Sequence, residues 1–110
     1  MKIDPIRAHA LSLPEVTEQP HFDYSSFRVH GRIFVTVPPD ERHVHVFVSE
    51  EERAVALALH AKFVEKLFWG GKVVGLRVKL ARANAAAVNN LVRQAWQYKA
   101  PKRLLASAKR

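Results

Sequence analysis

From Phe27 to Val48 the side chains keep a period of two, and the same period returns from Val73 to Leu80. Phe27 and Val29 alternate with Arg28 and His30. Ile33, Val35 and Val37 alternate with Arg32, Phe34 and Thr36, and Val44, Val46 and Val48 with His43, His45 and Phe47. A strand sends successive side chains to opposite faces, so this pattern predicts strands that are apolar on one side and polar on the other. Gly31 and the run Pro38-Pro39-Asp40-Glu41 punctuate it as turns. Strands joined by turns this short run antiparallel, and such a sheet needs one covered face and one wet face.

Helices with a single apolar stripe supply the cover. Asp4-Pro5 reads as the start of a first helix whose Ile6, Ala10 and Leu13 share a face, ended by Pro14. Ser49-Glu50-Glu51-Glu52 reads as a capping box opening a second helix to about His60. Asn84 caps a third, in which Val88, Leu91, Val92, Ala95 and Trp96 repeat at helical spacing. The polar, proline-bearing stretch from Pro14 to Ser26 reads as a loop. Leu67-Phe68-Trp69 reads as a short strand and Gly70-Gly71 as a turn, and Pro101 opens a last turn of helix before a basic tail at about 106–110. The expected order is α-β-β-β-α-β-β-α. It describes a two-layer α+β sandwich in which an antiparallel sheet of about five strands carries helices on one face. Residues 1–110 suit a single domain.

The wet face then follows residue by residue: Arg28, His30, Arg32, Phe34, Thr36, His43, His45, Phe47, Arg77 and Lys79. Cations neutralise phosphate, and exposed rings stack on unpaired bases. Charge is also unevenly spread. Residues 1–65 carry seven Lys and Arg against ten Asp and Glu, whereas residues 66–110 carry eleven Lys and Arg and no acid, within a net charge of +8. An acid-free basic half is the footprint of a protein that meets a polyanion. These features predict a nucleic-acid-binding surface, with Arg28, Arg32, Lys72, Arg77, Lys79 and Arg82 on phosphates and Phe34 and Phe47 giving stacking or groove contacts. The same mixed face also suits a protein-interaction or homodimer surface, which leaves monomer and homodimer both open.

Other chemistry finds less support. Cysteine is absent, which removes disulfides, thiolate metal sites and cysteine nucleophiles. His30, His43 and His45 offer three imidazoles, but spacing fixes no third ligand and neighbouring cations repel a metal ion. The segment His21-Phe22-Asp23-Tyr24-Ser25-Ser26 holds ingredients of acid–base chemistry without the geometry that makes a triad. No phosphate-binding loop, dinucleotide fingerprint or nucleophile elbow occurs. The expectation is a non-enzymatic, cofactor-free chain with neither a signal peptide nor a membrane span, working in the cytoplasm.

Two long stretches carry a family resemblance. "SLPEVTEQPHFDYSSFRVHGRIFVTV" resembles the N-terminal half of the MmcQ/YjbR family of small bacterial proteins, and "NNLVRQAWQYKAPKRLL" resembles that family's last helix and ending. The chain departs from the family pattern in "VVGLRVKL", where Leu76 follows Gly75 in place of a Gly-Trp pair. The resemblance implies a CyaY-like α+β fold and a DNA-binding role. It implies no catalytic residues. The iron-binding acidic ridge of the frataxin-like proteins has no counterpart in a first helix whose single acid is Asp4.

Overall fold

The computed structural model describes residues 1–108. Its centre is one antiparallel sheet of six strands: β1 (Val16–His21), β2 (Tyr24–Val29), β3 (Arg32–Val37), β4 (His43–Val46), β5 (Val64–Trp69) and β6 (Lys72–Lys79). The spatial order is β1-β2-β3-β4-β6-β5, with every neighbouring pair antiparallel. Four strands form a meander. The chain then crosses through a helix to the far edge and returns between β4 and β5.

The sheet is one strand wider than the alternation predicts, because the expected loop from Pro14 to Ser26 supplies β1 and the start of β2. β1 sits at the edge, where a strand needs no apolar face and tolerates Pro20. Its polar sequence therefore carries no period-two signal.

The helices are α1 (Ile3–Ser12), α2 (Glu50–Leu59), α3 (Ala85–Lys99) and α4 (Lys102–Ala108). Asn84 caps α3 as expected, its side-chain oxygen accepting the Ala87 N–H at 3.1 Å. Ser49 caps α2 by accepting the Glu52 N–H, but its hydroxyl proton goes to the Glu52 carboxylate, so the reciprocal arm of a capping box is not made. The helix cap at the N-terminus is Lys2, and Asp4 lies within the first turn. α4 continues through Ala108, so residues 106–108 of the expected tail are helical and 109–110 lie outside the described residues.

α3 crosses β3 and β4, while α1 packs on α3 and β1. Of the predicted inward set, Phe27, Val29, Val35, Val37, Val44, Val46 and Val48 are buried with Ile6, Val88, Val92 and Trp96, whereas Ile33 is only half-buried, because a bulge in β3 pairs it with Arg28 of the other face. The Trp96 indole N–H donates to the Pro14 carbonyl at 3.1 Å, tying the α1–β1 connection to the core. Leu76 is fully buried, so the position after Gly75 belongs to the core and the departure from Gly-Trp alters packing rather than surface. Gly75 is needed for another reason. A Cβ there would stand 2.6 Å from the Val46 carbonyl oxygen and 3.1 Å from the Phe47 ring.

Candidate binding groove on the open sheet face

Among the described residues the helices cover one face of the sheet, and the other carries a polar row through all six strands. Register places Gln19 beside Ser26, then Thr36, His45, Arg77 and Glu65. Ser26 donates to the Gln19 carbonyl at 2.7 Å. Thr36 Oγ1 lies 3.3 Å from His45 Nδ1, and the Arg77 guanidinium lies 3.7 Å from Glu65. Ser26, Thr36 and His45 are buried although they face away from the helices. Something on this face shields them.

For Thr36 and His45 the shield is the pair of hairpin tips that wall a groove of about 710 Å³ above them. Thr36, His45 and Phe47 form its floor. His21, Phe22, Asp23 and Tyr24 rise from the β1–β2 tip on one side, and Leu67, Phe68, Trp69 and Val74 from the β5–β6 hairpin on the other. Tyr24 leans over the floor, its ring centroid 6.0 Å from that of His45. The rings at the rim stand in water, with Phe22 91 %, Trp69 80 % and Phe68 59 % exposed.

Local irregularities build the two walls. Phe22 adopts φ 59°, a conformation that bulky side chains rarely take, within the two-residue turn that joins His21 to Tyr24. On the other side the β5–β6 register shifts at Leu67/Phe68, leaving Val74 as an extra residue in β6. Such a bulge twists a strand and re-aims its side chains, which is how both Phe68 and Trp69 line the same groove. Gly70 and Gly71, at φ 56° and 79°, close that hairpin with the positive dihedrals its tight turn requires.

His45 is the chemically distinctive group on the floor. Burial, reinforced by the nearby positive charges of Arg77 and His43 against a weaker opposite pull from Asp40, pushes its imidazole down to about 4. It is therefore neutral near pH 7, with Nδ1 facing the Thr36 hydroxyl. Its Nε2 is buried and has no hydrogen-bond partner among the described residues.

One bulge removes Arg32 and Phe34 from the residues expected to bind nucleic acid. Between β2 and β3 the register slips at Phe27/Arg28, so that Phe27 pairs with Val35 and Arg28 with Ile33, leaving Phe34 as the extra residue. Phe34 is fully buried in the core and unavailable for stacking. Past the bulge the alternation is reversed. Arg32 turns toward the helical layer and donates to the Lys99 carbonyl at the end of α3; partial burial of Lys99, with a smaller push from the Arg32 charge, holds the Lys99 ammonium below its usual value. Arg28 keeps to the open face but spends its guanidinium on Ser26 Oγ and the Pro20 carbonyl. Phe47 lies on the groove floor. Lys72 pairs with Trp69 across the hairpin turn, and Arg77 and Lys79 follow along β6, both within 4 Å of Glu65. Arg82 is exposed in the 3-10 turn after β6 (Leu80–Arg82).

The three histidines do not converge. His30 Nε2 donates to Glu15 at 2.6 Å at the β2–β3 turn, with the Arg103 guanidinium alongside and paired with the same carboxylate, while His43 bonds Asp40 and approaches Arg77. The serine hydroxyls of the loop segment are also committed, Ser25 to Glu18 at 2.6 Å and Ser26 to Gln19. Neither bonds an imidazole.

Sequence reasoning missed the groove because its walls depend on β1 and on a bulge. Two signals were present: a phenylalanine inside a polar turn, and a Phe-Trp pair directly before Gly-Gly.

The family model for YjbR matches residues 11–98. The chain belongs to the YjbR family. The matched stretch holds every strand, the groove and all of α3 except its last residue. This YjbR chain also resembles the crystal structure of the Deinococcus radiodurans protein DR2400, which carries a DUF419 domain. The TM-score is 0.73 at 18 % identity, over 86 % of this chain and 75 % of that one. At that identity the likeness speaks for the α+β fold. No curated protein matches the sequence. No helix among the described residues is long and apolar enough to cross a membrane.

Proposed function

We propose that this YjbR protein is a cytoplasmic nucleic-acid-binding module, with DNA as its ligand, that works by binding rather than catalysis through the uncovered face of its sheet. The observation that carries this reading is the pairing of an aromatic groove with a cationic strand. Lys72, Arg77 and Lys79 run along β6 beside the exposed rings of Phe68 and Trp69. Arg28 and Phe47 support the same face, Arg82 lies beyond its end, and Arg32 and Phe34 drop out. Phosphate neutralisation supplies most of the affinity in such a surface, so binding must weaken steeply with salt.

The test is fluorescence anisotropy of labelled DNA at several salt concentrations, with Arg77→Glu/Lys79→Glu alongside. Binding at micromolar protein that fades with salt and fails in the double variant supports the reading. Absence of binding at low salt sinks it.

A second reading, a homodimer through the same face, is favoured by the exposure of Phe22, Phe68 and Trp69. Sedimentation would find a dimer that Trp69→Ala dissociates. A monomer at high micromolar concentration removes this alternative.

A further inference from the structure

We infer that the groove between the two hairpin tips is a seat for an unpaired nucleobase, so that the chain prefers single-stranded to duplex nucleic acid. The inference rests on the nucleic-acid reading and specifies which form of the polymer fits.

Three features of the groove converge on that ligand. Its walls are aromatic and its rim rings are exposed, which suits a flat ring inserted between them. A base offers a free face only when it leaves the duplex stack. Beneath its floor lies a polar atom without a hydrogen-bond partner among the described residues: His45 is 7 % exposed, and a base reaches its buried Nε2 only by displacing the side chains over it. A buried nitrogen of this kind gains when a ligand completes its hydrogen bond. Because the Thr36 hydroxyl can donate to or accept from Nδ1, the neutral imidazole can present Nε2 as either acceptor or donor. One such contact suits every base edge and discriminates weakly among them.

Charge sets the direction of entry. Lys72 stands across the turn from Trp69, and Arg77 is the cross-strand neighbour of His45. The opposite lip carries Asp23. A nucleotide therefore lies with its phosphates toward β6 and its base pointing down between the tips. A purely apolar occupant would leave the His45 nitrogen without a partner and make no use of Lys72 at the rim.

The experiment compares three labelled DNAs of about a dozen nucleotides: a mixed-sequence single strand, its duplex, and a single strand with abasic sites. Anisotropy gives affinity, and tryptophan emission reports the groove, because Trp69 is exposed while Trp96 is 1 % exposed in the core. The expected result is single-strand affinity about tenfold above duplex, loss of that advantage in the abasic strand, and quenching of emission that Trp69→Phe removes. Trp69→Ala and His45→Gln should each weaken single-strand binding several-fold, and an unchanged near-UV spectrum will show that they fold. Duplex binding equal to or tighter than single-strand binding, salt-sensitive and indifferent to Trp69→Ala, overturns the base seat and leaves the nucleic-acid reading standing. No binding to any of the three overturns both.

Discussion

His45 on the groove floor and Phe22 on its rim each carry a measurable cost. The imidazole is neutral in the fold at about 4 and titrates near 6.5 when exposed. As pH falls through that window the unfolded chain takes up a proton that the native chain refuses. Stability is therefore intact above about pH 6.5 and declines toward pH 4, by on the order of 3 kcal/mol if no other group intervenes. Urea unfolding at pH 7, 5.5 and 4.5 should show this decline, and His45→Gln should flatten it. An equally steep decline in the variant would assign the effect elsewhere. Phe22 is strained in the other sense. Relief of a positive φ is worth about 1–3 kcal/mol, against about 0.5–1 kcal/mol for the added chain entropy of glycine. Phe22→Gly is thus expected to hold or raise the urea midpoint while weakening single-strand binding. A lowered midpoint would mean that the phenylalanine packs rather than waits for a ligand.

At the level of elements, what was legible in the sequence divides by cause. The valine-rich strands and the stripe of α3 announce themselves because one side of each faces the core, and burial enforces a period. β1 is an edge strand polar on both sides, so nothing in Val16–His21 distinguishes it from a loop. Bulges are harder still, since Phe34 and Val74 differ from their neighbours only in having no partner on β2 and β5 respectively. One such residue was enough to move Phe34 into the core and Arg32 to the helical side, while Arg77 and Lys79, on a strand whose bulge lies before them, kept the predicted face. Gly75 shows how tightly the centre of the sheet is specified. Its missing Cβ lets β6 approach the Val46 carbonyl and sets Phe47 on the groove floor. Gly75→Ala must push the two strands apart, with an expected loss of about 1–3 kcal/mol and weaker ligand binding through the displaced ring. An unchanged unfolding midpoint would show that the strands separate freely at this point.

Across the whole molecule, net charge and useful charge are different quantities. The eleven cations of residues 66–110 suggest a protein that coats itself in phosphate. The fold distributes them otherwise. Arg93, Lys99, Lys102 and Arg103 belong to α3 and α4, on the far layer, and Arg103 is drawn toward Glu15. Lys72, Arg77 and Lys79 remain on β6, the last two sharing Glu65. A ligand on the open face thus meets about three of these cations, besides Arg28, whose guanidinium is already engaged within the sheet. For a single strand, each neutralised phosphate contributes about 0.7 to the slope of log affinity against log salt, so a slope near −2 is expected rather than the steeper one that a charge of +8 suggests. Lys72→Gln should make the slope shallower by about 0.7, and Arg93→Gln/Lys102→Gln should lower overall affinity slightly while leaving the slope alone. A slope that responds to the helical pair and ignores Lys72 would place the polymer on the opposite layer, and the groove would then have to serve some other ligand.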